Sequence, residues 1–416
     1  MRGGTESSAS LAGRMAEPDA PSCARNSEST HGEFRAHFLR KASALSIEDW
    51  QRLDTGDDPF LGHAFLAAAE ASGAAGPRLG WQPMHLVLRD AQNGLAGFLP
   101  LYLRRHSFGD FSHDWSWPSA WAQHGLAYYP KLVSGIPFTP SPGPRLAVVK
   151  DAPPATRTAL LHAVLDCAAK LGVSSWQCLF VRAPDQALLQ DAGLLMRHSV
   201  QFHWISQSER DFADFLERFT AQKRKKLKRE RRAVRETGLR IEARHGDEID
   251  ASLWAAIHRH YVDTFLRHGN HPAFPLEFFR TVGPALGRRM VVFVAWQEAT
   301  PVASAICYRD GHALYGRHWG TDIDCPGLHF ELCYYQGIEY ALAHGLQRFE
   351  PGAQGEHKLA RGFEPVTTSS AYWIADPRMR SLVADFLRHE SAMIADYEAE
   401  ATRHLPWKQS NERRTP

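Results

Sequence analysis

A chain of 416 residues that is 44% hydrophobic and 23% charged has an ordinary globular make-up and enough length for two domains. Its 48 basic and 46 acidic side chains leave a formal charge of +2, which excludes a polyelectrolyte and leaves only local clusters to attract an anion. No window reaches the roughly eighteen uninterrupted apolar residues of a membrane span. The six cysteines form no Cys-x-x-Cys pair and read as reduced core thiols of a cytoplasmic protein.

Residues 1–33 are small and polar, without the apolar core of a secretory signal, and read as a disordered tail in which Met15 is a second candidate start. Ordered sequence is expected from Phe34. Helical spacing runs from Phe60 to Ser72, and Asn93-Gly94 joins the strand-like runs Met84–Leu88 and Leu95–Leu103 as a hairpin. A segment rich in tryptophan and proline follows over 109–147, too apolar for disorder and too broken for a helix. A helix from Ala155 to Leu171 stops at Gly172 and leads into the strand Trp176–Val181.

Phe212 to Arg235 reads as one long helix, apolar along Phe212, Phe215, Leu216, Phe219, Leu227 and Val234. Its other faces carry Lys223, Arg224, Lys225, Lys226, Lys228, Arg229, Arg231, Arg232 and Arg235. A solvated face is the plain reading of these charges. A guide for a phosphorylated ligand and a nucleic-acid surface are the alternatives. Next come the strands Leu239–Glu242, Arg289–Trp296, Val302–Tyr308 and His312–Gly316, a helix from Leu328 to Ala343 capped by Gly345, and the strand Leu346–Glu350. Hairpin, helix, glycine cap and strand thus occur twice, and the excess length of the first half matches the Trp/Pro-rich segment. Two copies of one α/β unit are expected.

The basic helix closed by Thr237-Gly238, with YYPKL, PFTPSPGPR, QFHW, LYGRHWG, LHFELCYYQGIEYA and FEPGAQGEHKLARGF in that order, resembles the bacterial Fem-like branch of N-acyltransferases, related to peptidoglycan-bridge transferases within the GNAT superfamily. The likeness runs from about residue 34 to 405. It implies an α/β (α+β) fold built by tandem duplication of a GNAT-like acyl-CoA N-acyltransferase unit, with mixed central sheets flanked by helices. The expected units are 34–200, with the insertion, and 201–405, opened by the basic helix, followed by a tail over 406–416. The resemblance further implies transfer of an acyl or aminoacyl group from acyl-CoA or aminoacyl-tRNA to an amine, on a peptidoglycan-precursor-like or other small molecule or peptide. No metal and no membrane insertion are expected; the oligomeric state is left open. A module that keeps the fold but only binds a cell-wall precursor or nucleic acid is the alternative. GTDIDCPGLHFE, where GNAT enzymes carry Gln/Arg-x-x-Gly-x-Gly/Ala, lacks that pattern but places a helix N-terminus near Leu328, where free amides can meet a phosphate.

The stretch GAQGEHKLARGF, residues 352–363, leaves a strand, loosens at glycine and crowds Glu356, His357, Lys358 and Arg361 together. It is either a solvated turn or the place where substrate sits. On the second reading Glu356 or His357 takes the amine proton, while Gln354, Lys358 and Arg361 bind a carboxylate or phosphate. Arg317, His318 and Trp319, after the third strand, are expected to line the same cleft, with His318 catalytic and Glu331 holding Arg317 or His318 in place. In the insertion Asp114, Trp115, Trp117, Tyr129, Lys131 and Arg145 are candidates for the wall of an acceptor site, or for a rigid cover over the core.

Overall fold

The computed structural model describes residues 29–352 and 355–408. Met15, Cys23, Gln354, most of the expected N-terminal tail and the end of the C-terminal one lie outside the described residues.

Two sheets carry the fold. In the smaller, five strands run in the order Ser29–His31, Phe34–Leu39, His85–Arg89, Leu95–Leu99, Ala147–Val148. The larger has eleven, in the order Arg240–His245, Met290–Gln297, Thr300–Arg309, Ala313–Thr321, Arg348–Glu350, Leu195–Ile205, Glu364–Ile374, Ser175–Val181, Lys131–Ser134, Tyr102–Arg104, Trp81–Pro83.

The expected duplication is visible in this order. In the first half, Lys131–Ser134 pairs parallel with Ser175–Val181 through a crossover containing the helix Pro154–Leu171. In the second, Ala313–Thr321 pairs parallel with Arg348–Glu350 through a crossover containing the helices of 328–343. Antiparallel strands precede each parallel pair. The fold is the tandem GNAT-like one the sequence motifs implied.

The halves exchange their last strands. Leu195–Ile205 leaves the first half and pairs with Arg348–Glu350 of the second, while Glu364–Ile374 leaves the second and pairs with Ser175–Val181 of the first. The two exchanged strands pair antiparallel with each other from Leu195↔Tyr372 to His203↔Glu364. One continuous sheet therefore runs through both halves, and the closing helix Pro377–Arg403 packs across the exchanged pair.

Several expected elements are shorter or broken, each for a visible reason. The run 95–103 turns from one sheet into the other at Pro100, which has no amide hydrogen to give a ladder. The helix expected from Phe60 begins at His63, because Asp58 accepts from the amides of Phe60 and Leu61 and holds them in a turn. The long basic helix is two, Phe212–Glu217 and Ala221–Arg235, since Phe219 leaves the helical path to bridge Trp407. The helix expected over 328–343 contains a π-turn at Glu331–Tyr335, a form that often marks a functional position.

Candidate functional site

The parallel strands of the second half stay together for three residues only, ending at Tyr315↔Glu350. Beyond that point they diverge. Gly316 lies against the chain, where a Cβ would sit 3.2 Å from Pro351 Cα. The pairing with the neighbouring strand shifts register between Ile306↔His318 and Cys307↔Gly316, so Arg317 is the extra residue of a bulge. A bulge re-aims a side chain, and Arg317 is turned into the gap rather than along the sheet.

Arg317 is buried. Its Nη1 donates to the Gly316 carbonyl, its Nη2 lies 3.7 Å from Glu350 Oε2, and its guanidinium rests over the ring of Phe60. Its Nε and Nη2 hydrogens have no hydrogen-bond partner. A buried guanidinium with open donors is costly unless something accepts from it. Glu350 beside it receives Ser141 Oγ at 2.8 Å and Arg348 Nε at 3.0 Å. Burial opposes ionisation of Glu350, yet His203, Arg348 and Arg317 hold its carboxyl below its usual range. His203 is itself depressed by burial to about 4, so above that pH the arginines carry the effect.

The stretch 352–363 closes the other side of the gap as a short 3-10 helix, Glu356–Arg361. Lys358 points inward, fully buried, and its Nζ donates to the Gly352 carbonyl at 2.6 Å. Burial, helped by the Arg317 charge, lowers its pKa to about 7. Arg361 is buried too: it stacks 3.4 Å over Phe330 and donates to Tyr335 and to Glu230 of the basic helix. The two groups expected to act as the base face elsewhere. Exposed Glu356 accepts from Tyr397 on the closing helix, and His357 pairs with the Tyr334 hydroxyl at 2.7 Å.

The expected convergence of His318, Glu331 and this loop does not occur. His318 lies one residue past Arg317 and faces the opposite side of the strand, boxed by Tyr261, Phe265, Phe274 and Phe279 with centroids 4.7–6.3 Å away. Burial pushes its pKa down to about 3, so it is a neutral packed ring near neutrality. Glu331 is held by both Arg231 nitrogens, at 2.7 and 3.1 Å, and by Gln336, because the π-turn rotates it toward the basic helix. Trp319 joins His329, Tyr334 and His357 in an aromatic wall beside the loop.

The first half reaches the gap through residues that sequence patterns did not mark. Its own diverging strands are filled by its Pro-rich segment, whose Gly143 bridges Val181 and whose Gly143 amide donates to the Phe180 carbonyl. That segment presents Ser141 to Glu350 and the Pro140 carbonyl to Gln201. Arg145, expected to meet a ligand, is spent on the carbonyls of Leu179, Ser141 and Pro144, and so shapes this segment. Arg182 links Asp58 to the Tyr315 hydroxyl, which donates to Asp310 at 2.6 Å.

The other insertion residues form a closed cluster. Lys131 Nζ, fully buried, meets Asp114 at 2.6 Å, Asp110 at 3.0 Å, Ser107, Ser112 and Gln177, and Tyr128 also donates to Asp114. Trp117 stacks on Trp121 within the core, Tyr129 bonds Ser107, and only Trp115 stands in solvent. This is a buried ion cluster in which the Lys131 amine is fully engaged, while Asp114 Oδ1 has no hydrogen-bond partner. Lys131→Met is therefore expected to cost about 3–5 kcal/mol by stranding two carboxylates. Urea unfolding measures this, and ligand affinity of the folded fraction should be unchanged.

Nearby, a cavity of about 2070 Å³ opens between the first half and the helix Leu276–Leu286. Phe38, Leu39, Trp50, Leu53, Met84 and Leu286 give it apolar walls, and its edges are mixed in charge, with Arg40, Lys41, Arg78, Arg105, Lys150 and Arg289 beside Asp54, Asp57, Asp58 and Glu70. It does not include Arg317 or Lys358. It touches them indirectly, through Asp58 in its wall and the Arg182–Tyr315 link. The basic helix flanks the gap on the other side: Gly327, which caps the helix beginning at Leu328, packs against Val234. Lys223, Lys225, Lys228, Arg229 and Arg235 are exposed on that helix, while Arg224, Arg231 and Arg232 pair with carboxylates.

The gap thus holds cationic groups inside and has a basic approach outside. Residues 41–409 match the FemAB-like family, described as peptidoglycan biosynthesis/recognition, and the chain belongs to that family. No curated protein matches it. Similar solved structures include FemX, at 12% identity over 84% of this chain and 99% of that one, with a TM-score of 0.49. The C-terminal domain (DUF2156) of a protein described as a lysylphosphatidylglycerol synthetase from Agrobacterium fabrum is 10% identical over 84% and 95%, with a TM-score of 0.48. A tandem GNAT protein from the clavulanic acid pathway is 12% identical over 83% and 99%, with a TM-score of 0.42. Among the described residues, no helix is long and apolar enough to cross a membrane.

Proposed function

We propose that the chain is an N-acyltransferase that joins an acyl or aminoacyl group, from an activated donor, to the amine of a cell-wall-precursor-like acceptor. The observation that carries this reading is the pair of buried cations in the gap, Arg317 with open donors and Lys358 with a pKa near 7. An acceptor ammonium must lose a proton before its nitrogen attacks a carbonyl, and the carbonyl oxygen must be stabilised as it gains charge. Lys358 has a large neutral fraction near pH 7 and takes the proton, then returns it to the ribose oxygen or thiolate that departs as the bond to the donor breaks. The free Nε–H and Nη2–H of Arg317 receive the oxyanion, with Glu350 fixing the guanidinium from behind. Glu356 and His357 instead secure the loop to Tyr397 and Tyr334.

The large cavity, separated from the gap by Asp58 and the Arg182–Tyr315 link, has apolar walls that suit the body of the acceptor. The donor enters beside the basic helix. Aminoacyl-tRNA is the donor we favour, because five exposed cations flank the approach and the usual pyrophosphate loop pattern is missing. Acyl-CoA, with its phosphates at the amides after Gly327, is the second reading.

The test is transfer itself: labelled aminoacyl-tRNA or acyl-CoA mixed with nucleotide-linked muropeptide precursors, with product followed by mass. Binding without product from either donor would leave the non-catalytic module as the better account. If tRNA is the donor, replacing Lys225, Lys228 and Arg229 with glutamate should weaken its binding and flatten the log K against log salt slope by about two to three. An unchanged slope would remove the basic helix from the donor site.

A further inference from the structure

The closing helix Pro377–Arg403 carries four of the large apolar side chains that the surface leaves open: Leu382, Phe386, Met393 and Tyr397, at 46%, 44%, 63% and 36% exposure. At about 100° per residue these four fall within roughly 60° of the helix circumference, so they form one stripe. The stripe flanks the buried face of Met379, Val383 and Leu387 and does not belong to it. The loop that carries exposed Trp115, at 67%, meets the helix near the middle of the stripe. Arg197 ties its loop to the helix by donating to the carbonyls of Ser112 and His113, pairing with Glu390 and resting over Phe386. At one end Tyr397 donates to Glu356 of the 352–363 loop.

The spacing of the four residues, though not their identity, is the same read from either end about a centre between His389 and Glu390. A two-fold axis crossing the helix there would lay Leu382 on Tyr397 of a second copy and Phe386 on Met393, each contact made twice. It would also bring the His389 ring next to Glu390 across the axis. A surface that complements itself in this way is what an isologous dimer requires, whereas a lipid surface imposes no such order. The ionic groups around the stripe are mixed, with Asp385, Arg388, Glu390 and Asp396, so an anionic membrane is not the natural partner.

We propose that the closing helix is a self-association surface, on which a second copy of this chain docks antiparallel with Phe386 against Met393. The stripe spans about 22 Å along the helix. Contact of that length around four side chains falls below a standard interface of about 800 Å² per partner, even with Trp115 added, so the dimer forms in a concentration-dependent equilibrium. Since Tyr397 belongs to the stripe, docking covers the residue that anchors Glu356 and couples association to the loop beside Lys358.

Sedimentation velocity of the full chain across a hundredfold concentration range tests this, with the single variants Phe386→Glu and Met393→Lys and the double variant. The wild type should shift from monomer toward dimer as concentration rises. Each single variant should remain monomeric, and the double variant should regain the dimer at low salt, because each new glutamate faces a lysine of the other copy. Residues 386 and 393 are two helical turns apart within one chain, so rescue cannot come from an internal pair. A wild type that stays monomeric throughout overturns the proposal. So does a dimer unaffected by the single variants, or a stripe that binds phosphatidylcholine–phosphatidylglycerol vesicles and leaves the chain monomeric. None of these readouts depends on the transfer reaction.

Discussion

Glu350→Ala should unfold the protein at markedly lower denaturant than any surface substitution, with a loss of about 3–5 kcal/mol, because it leaves Arg317 and Arg348 charged and without their shared carboxylate. Ser141 loses its acceptor as well. The pH dependence carries a definite sign. Glu350 ionises below its ordinary value in the folded protein, so its stabilisation is fully present above about pH 4.3 and is lost as pH falls through the depressed folded value. Equilibrium denaturation of wild type and variant between pH 7 and 3 should show curves that converge as the pH drops. Parallel curves would mean that the carboxylate is not what holds the arginines.

Lys358→Met should do the opposite to stability and the worst to function. Holding a lysine at about 7 rather than its ordinary 10.5 costs the folded state on the order of 5 kcal/mol when the amine is charged. Orphaning the Gly352 carbonyl costs about 1–3 kcal/mol in the variant. Desolvation is the larger effect, so the variant is expected to be the more stable protein at pH 6. Between about pH 7 and 10.4 the unfolded wild type holds a proton that the folded one has released. Wild-type stability therefore rises with pH across that window, and the advantage of the variant shrinks. Transfer should fall by about a hundredfold to ten-thousandfold. Lys358→Arg should not rescue it, since a guanidinium stays protonated. A variant that gains stability and loses turnover separates a working residue from a packing one.

Local chemistry made much of the fold legible. Asn93 does adopt the left-handed backbone its hairpin needs, with φ 64°, and Gly172 and Gly345 end their helices at φ 61° and 66°. Both halves could be read from these signals because each lies within a few residues of its effect. The exchange of Leu195–Ile205 and Glu364–Ile374 had no such signal, being decided by partners more than 150 residues apart. The same holds for the site. The stretch 352–363 stood out by its glycines and charges, and Lys358 and Arg317 do face the gap. Burial, which lowers the pKa of Lys358 and makes His318 a packed ring, is not written in spacing. Ser141, Arg182, Asp58 and His203 reach the gap from the other half or from the exchanged strand, where each is locally unremarkable. Glu350 ends a short strand, and only the divergence after Tyr315 gives it a role. Glu331 was legible as an acid in need of a partner, but the π-turn that gives it Arg231 was not.

The central claim is that the amine of Lys358 takes the proton in the gap between the diverging strands. The measurement that bears on it most directly is the single-turnover transfer rate at saturating donor and acceptor, followed from pH 5.5 to 9 in wild type and in Lys358→Met. The account predicts a wild-type rate that climbs with pH and levels off above about 7, where Lys358 becomes neutral, and a low rate in the variant without that climb. A variant that keeps both the wild-type rate and the same acidic limb would contradict it.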